Sequence, residues 1–256
     1  MGAFPRLAFR AASVHLLVMA EVTMRQAPEN RPLPKRDAVE VWLFDLDNTL
    51  YPAACNLFPQ VERRMGEFIC KHFDLKLPEA KALQKRLFHE HGTTLRGLMS
   101  EHGIDAREFL DFVHDVDLSV IRHSPELDEA LDRLPGRKLI FTNADEPYSE
   151  RVLERMGIAH HFEGIFDIVA SDYLPKPQPE PYDKLIKRFG IDPTKTIFFE
   201  DSARNLEPAH DRGMMTVWIE HDAPWSRSGV EEEGGLPHWV HHHDRDLLKW
   251  LQKLPE

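Results

Sequence analysis

The chain has 256 residues, room for one large domain or two small ones. Lysine and arginine total 32 against 43 aspartates and glutamates, a formal charge of −11. That balance argues against a general binder of nucleic-acid polymers or anionic membranes, which need clustered positive charge. Apolar residues are 42% and charged residues 29%, the composition of an ordinary globular protein. Two cysteines, Cys55 and Cys70, rule out a disulfide scaffold and a four-thiolate zinc site, and they suit a reducing cytoplasm.

The longest apolar-leaning stretch near the start, Ala11–Ala20, is about half the ~20 residues a spanning helix needs. With Arg6, Arg10 and no acid before it, this segment reads as a targeting sequence, as a disordered tail, or as a start placed upstream of Met19 or Met24. The tail is the preferred reading. Residues 26–37 hold three prolines among many charges and read as a linker, so 1–37 is expected to be a disordered tail and linker.

Val41–Phe44 is a short apolar run, expected of a strand buried on both faces. Helical patterns follow over Phe58–Phe73, Pro78–His91, Leu95–His102 and Asp105–Ile121, punctuated by Gly92 and Gly103. These predict an all-helical cap over residues 53–123. Strand patterns over Lys138–Phe141, Phe166–Ala170, Thr196–Phe199 and Met215–Ile219 then alternate with helices over Pro147–Met156, Pro179–Phe189 and Ser202–Arg212. Alternation of this kind predicts an α/β, Rossmann-like, doubly wound parallel sheet built from residues 38–52 and 124–256. Glu231–Glu233 reads as a solvated loop and Trp239-Val240 as a last edge strand. His238 and His241–His243 read as surface residues, and Asp244–Leu254 as the final helix.

Four segments fall at the carboxyl ends of strands, where open α/β sheets place their sites. They are Asp45-Leu46-Asp47-Asn48-Thr49, Thr142-Asn143, Lys176 between two prolines, and Glu200-Asp201-Ser202 with Asn205 one turn on. Taken singly each is unremarkable: a polar turn, a strand end, a loop lysine, a helix start. Together they supply the acids, lysine, hydroxyl and amides that hold a divalent cation and a phosphoryl group.

In this order, DLDNT at 45–49, TN at 142–143, Lys176 and EDSARN at 200–205 resemble the four motifs of the haloacid dehalogenase superfamily of aspartate-nucleophile phosphatases, over residues 41–219. The resemblance implies Asp45 as nucleophile and Asp47 as general acid and base. It implies Mg²⁺ held by Asp45, the Asp47 carbonyl and Asp201, with Glu200 acting through water. Thr142, the Asn143 main chain and Lys176 would hold phosphate, with Ser202 and Asn205 supporting the acidic loop. Dehalogenases of the superfamily lack the second aspartate, so Asp47 and Asp201 favour a phosphoester. A phosphomutase keeps the same residues, and an idle phosphate-binding relative is the rival of another class.

The segments 48–52, Gly92–Leu98 and Phe112–Asp117 are similar to the pyrimidine 5'-nucleotidase subgroup. This implies a small phosphorylated substrate such as UMP or CMP; phosphoglycolate or a sugar phosphate is the alternative. Thr93, Thr94, Arg96, His114 and Asp115 could then hydrogen-bond the nucleoside, and Tyr51, Phe58 or Phe112 could pack on its ring. No polymer or membrane partner is expected, and the protein would be a monomer or homodimer. Cys55 has no activating partner in sequence and is not expected to be a nucleophile.

Overall fold

The computed structural model describes residues 32–228, 230 and 235–255. The readings placed on residues 1–31 and on Glu231–Glu233 therefore lie outside the described residues. Residues 33–38 are tied down rather than loose. Leu33 packs against the core, and Arg36 opens a short 3₁₀ turn and donates to the carbonyl of Leu254 at 3.1 Å.

Six strands form one parallel sheet: β1 (Val41–Phe44), β2 (Arg137–Phe141), β3 (Gly164–Phe166), β4 (Thr196–Glu200), β5 (Met215–Ile219) and β6 (His242–Asp244), in the order β3-β2-β1-β4-β5-β6. β1 is central, and the chain leaves it toward β2 on one side before returning to β4 on the other. That reversal opens a crevice at the carboxyl ends of β1 and β4. The strands are buried on both faces because their side chains alternate between two hydrophobic clusters. Trp42 and Phe44 join one, and Val41 and Leu43 the other.

Between β1 and β2 lie α1 (Phe58–Phe73), α2 (Leu77–His91), α3 (Thr94–His102) and α4 (Ala106–Val113), then α5 (Pro125–Asp132). Gly92 and Gly103 end α2 and α3 in the left-handed conformation, at φ 85° and 64°. The hydroxyl of Thr93 caps α3 and the carboxylate of Asp105 caps α4. The apolar faces of α1 and α4 merge with the sheet's Trp42–Phe44 face in one cluster, so the insert is packed onto the sheet. The remaining helices are α6 (Glu146–Met156), α7 (Pro179–Phe189), α8 (Ala203–Asp211) and α9 (Leu247–Gln252).

Several expectations are corrected. The third strand is Gly164–Phe166, not Phe166–Ala170. Asp167 turns the chain instead, accepting the amides of Glu146 at 3.0 Å and Ala170 at 2.8 Å. The helix expected over 105–121 stops at Val113, and Asp117 caps a separate 3₁₀ turn. The edge strand is His242–Asp244 rather than Trp239-Val240. His241 and His242 are buried against β5, where His241 accepts the Thr216 amide at 3.0 Å, and the final helix is the shorter α9.

Candidate active site

The main-chain ladder carries β1 directly into the site, since the Asp45 amide donates to the Phe199 carbonyl at 2.9 Å. Asp45 is buried, and Thr49 donates to its Oδ2 at 3.3 Å. Asn48 takes up a left-handed φ of 59°, a conformation that asparagine tolerates better than most residues.

Lys176 arrives from the segment after β3. Asn143, at the end of β2, fixes that segment by accepting the Lys176 amide at 2.8 Å. The lysine is buried and its Nζ donates to Asp45 Oδ1 at 2.7 Å, Glu200 Oε2 at 2.6 Å and the Phe141 carbonyl at 2.8 Å. All three of its donors are used, so it is locked. Glu200 ends β4. Its other oxygen accepts the Ser202 amide at 3.2 Å and the Asn205 side-chain amide at 3.1 Å.

Asp201 is held on both its main chain and its side chain. Its carbonyl accepts from Trp218 at 2.9 Å and Ser226 at 2.6 Å, and its Oδ2 lies 3.0 Å from His221 Nε2. Thr142 lines the same cavity, its Oγ1 accepting the Ala144 amide at 3.0 Å.

Burial raises the pKa of Asp45, Asp47, Glu200 and Asp201. Glu200 presses Asp45 further upward while Lys176 opposes the rise. Burial works against the charge on Lys176, but Asp45 and Glu200 outweigh it and raise its pKa. One ammonium thus faces three buried acids. Asp45, Glu200 and Asp201 each offer a carboxylate oxygen, all within 4.8 Å of one another. An all-oxygen, strongly anionic donor set of this kind fits Mg²⁺ rather than a soft metal.

Sequence reasoning missed Tyr148 and His221, gave Tyr51 a different role and gave Asn48 none of its own. Tyr51 and Tyr148 both donate to Asp47 Oδ1, at 2.5 and 2.8 Å, so Tyr51 is committed to an acid rather than free to stack on a ligand. Tyr148 carries no local signal; only the packing of α6 brings it there. His221 stands two residues beyond β5 on the productive sheet edge, a placement that could have marked it. The side-chain amide of Asn48 is buried on the cavity wall with no partner among the described residues.

The cap residues divide. A cavity of about 930 Å³ runs from Asp45 and Lys176 up between the helices, and Thr93, Thr94, His114 and Phe58 line it. His114 is not free: its Nδ1 is 2.7 Å from Asp145, and its ring stacks on Tyr148 at 4.3 Å. Arg96 and Asp115 are not on the lining. Asp115 follows the early end of α4 and pairs with Arg64 at 3.2 Å on the exposed side. Phe112 is likewise off the cavity, covered by the Arg64 guanidinium 3.9 Å from its ring centre. Cys55 is half-buried, which pushes its thiol pKa up, away from nucleophile character.

A family model for haloacid dehalogenase-like hydrolases matches residues 39–211. The chain belongs to the haloacid dehalogenase-like hydrolase family. This hydrolase is 26% identical over 204 residues to Phosphate metabolism protein 8 of Saccharomyces cerevisiae, covering 72% of this chain and 63% of the yeast protein. It is 25% identical over 226 residues to the phosphoglycolate phosphatase of Mannheimia succiniciproducens, covering 80% of this chain and 95% of that enzyme. Its fold is similar to that of the magnesium-bound HAD-hydrolase YfnB of Bacillus subtilis, with a TM-score of 0.53 at 17% identity, covering 84% of this chain and 98% of the other. The family is one of hydrolases, and the second of these relatives is a phosphatase.

Proposed function

We propose that the protein is a Mg²⁺-dependent phosphatase that works through an aspartyl-phosphate on Asp45, with pyrimidine nucleoside monophosphates as substrates. The observation that carries the chemistry is the meeting of Asp45, Lys176, Glu200 and Asp201 at one sheet edge, with Lys176 bonded to two of the acids at 2.6 and 2.7 Å.

An Asp45 carboxylate oxygen attacks phosphorus, and the bond from phosphorus to the ester oxygen breaks. Asp47 gives its proton to that departing oxygen. Water then attacks the phosphorus of the aspartyl-phosphate while Asp47 takes the water's proton. The phosphorus–Asp45 bond breaks, freeing phosphate and restoring the acid. Thr142 and the Asn143 main chain hold the phosphate oxygens, Lys176 orients Asp45 and Glu200 and lends its positive charge, and Ser202 and Asn205 keep Glu200 in place. When bound, Mg²⁺ would neutralise phosphate charge; Asp45, Asp201 and the Asp47 carbonyl would hold it, with Glu200 acting through water.

A cavity of about 930 Å³ with Phe58 and Trp225 on its wall supports a leaving group as large as a nucleoside. The second reading is a smaller phosphoester such as phosphoglycolate or a sugar phosphate. It is supported by similarity along nearly the whole length of a phosphoglycolate phosphatase. We further take residues 53–123 as the cap and the cytoplasm as the location; acidic composition and two cysteines support the latter. No helix among the described residues is long and apolar enough to cross a membrane.

The test is phosphate release from UMP, CMP, AMP, phosphoglycolate and sugar phosphates, with Mg²⁺ or EDTA, repeated with Asp45→Asn. Mg²⁺-dependent release from UMP and CMP that vanishes in the variant is expected. Nucleotides ranking last would remove the nucleotidase reading. Release that survives in the variant would remove the nucleophile, and no release from any ester would leave an idle relative.

A further inference from the structure

Arg204 stands at the start of α8, three residues beyond Asp201, and lines the cavity shared by Asp45 and Lys176. Its guanidinium lies 5.4 Å over the ring centre of Phe88, on α2 of the helical insert. Among the described residues its side chain makes no hydrogen bond and no ion pair. Arg212, just past the end of the same helix, by contrast ties to Asp183 at 2.7 Å.

A guanidinium carries five N–H donors, and holding them half-buried without acceptors is costly. Burial here lowers the pKa of Arg204 below the ordinary arginine value, with Glu200 opposing. The face of α2 that carries Phe88 also turns Lys81 and Lys85 to the cavity, so this wall is a basic, flat-sided surface on the leaving-group side. Phe88 is a large apolar side chain left 37% exposed there. Lys176 lines the same cavity beside Asp45, the proposed nucleophile.

We propose that Arg204, stacked on Phe88, forms a leaving-group subsite that donates hydrogen bonds to a carbonyl or carboxylate oxygen of the phosphomonoester beyond its ester oxygen. The proposal rests on the phosphatase reading above and specifies what that site selects. The acceptor is either a ring carbonyl, as in UMP, or a carboxylate, as in phosphoglycolate. Phenyl phosphate has an apolar body and no such acceptor.

Steady-state kinetics of Arg204→Ala, Arg204→Lys and Phe88→Ala on these three esters test it. In Arg204→Ala, kcat/KM is expected to fall about 10- to 100-fold, mainly through KM, on the acceptor-bearing ester that the wild type prefers, the range a charge-assisted hydrogen bond supplies. Phenyl phosphate should change less than about threefold, since it forms no such bond. Arg204→Lys should recover only part of the loss, because it lacks the planar fork, and Phe88→Ala should move the same ester. Equal losses on all three esters, or none, overturn the proposal. Binding of UMP and phosphoglycolate to Asp45→Asn with and without Arg204→Ala, by calorimetry, reads the subsite without turnover. An unchanged Kd overturns it even if the wild type hydrolyses none of the esters, an outcome that by itself counts against the phosphatase reading.

Discussion

His221 holds one carboxylate oxygen of Asp201. Its Nε2 is 3.0 Å from Asp201 Oδ2, and its Nδ1 accepts the Ala223 amide at 3.2 Å. Because Nδ1 is an acceptor, the neutral ring carries its proton on Nε2 and donates it to Asp201. Burial lowers the pKa of His221, which favours that neutral ring. Histidine thus sets the orientation of an acid in the proposed Mg²⁺ site, as outer partners of metal ligands commonly do.

Replacing His221 by Phe should therefore weaken Mg²⁺ binding about 10- to 100-fold, the usual effect of losing such a partner. Calorimetric titration of the metal into the variant, with no substrate present, measures this. Activity should return toward wild type at saturating Mg²⁺. An unchanged metal affinity would mean that His221 only packs.

Tyr51 and Tyr148 share Asp47 Oδ1 as acceptor, and both favour the ionised acid against a burial that raises its pKa. Tyr148→Phe removes one of these donors and should push the pKa higher still. A general acid works only while protonated, so the alkaline limb of kcat/KM against pH should move upward. At neutral pH kcat should drop roughly tenfold through lost positioning, an order set by one hydrogen bond to a charged group. A pH–rate profile of the variant identical to wild type would refute the assignment.

The metal-free protein should lose stability as the medium becomes alkaline. Burial, with Lys176 opposing, raises Glu200 from 4.5 to about 7. A folded-state pKa above the unfolded one contributes stability in full below about 4.5, and that contribution is lost as pH rises through about 7. Asp45 and Asp201 shift in the same direction. Thermal unfolding in EDTA at several pH values should show the decline, and Glu200→Gln should flatten it. Added Mg²⁺ should raise the melting temperature more at pH 8 than at pH 6, because the acids must be ionised to bind it.

Phe199 is fully buried on β4, stacked on Phe44 at 4.8 Å and edge-on to Trp250 at 5.0 Å. Phe199→Ala should cost about 3–5 kcal/mol, the range for removing a core aromatic. Urea unfolding checks this, and a loss under about 1 kcal/mol would show that the site collapses to fill the gap.

Much of the fold was legible because its signals are local. Phe58–Phe73, Pro179–Phe189 and Met215–Ile219 match the expected ranges, since apolar period and capping residues act within a few turns. The stretch after Phe166 misled for the opposite reason. Ile168 is buried by a turn that Asp167 builds with an amide from α6, a partner far along the chain. His241 and His242 likewise look like surface residues until β6 pairs with β5.

Residue type and order alone determined the chemistry on offer: four acids, a lysine and a hydroxyl at the ends of successive strands, which a parallel sheet must bring to one edge. Tertiary structure decided which groups surround them. Tyr148, His221 and Arg204 reach the site only through the packing of α6, the chain beyond β5, and α8 against α2. Arg96 and Asp115 were left outside. Strand ends obey a period of two and a fixed sheet polarity, so their fate is written locally. A side chain on a helix or loop points wherever long-range packing turns it, and no short stretch of sequence carries that information.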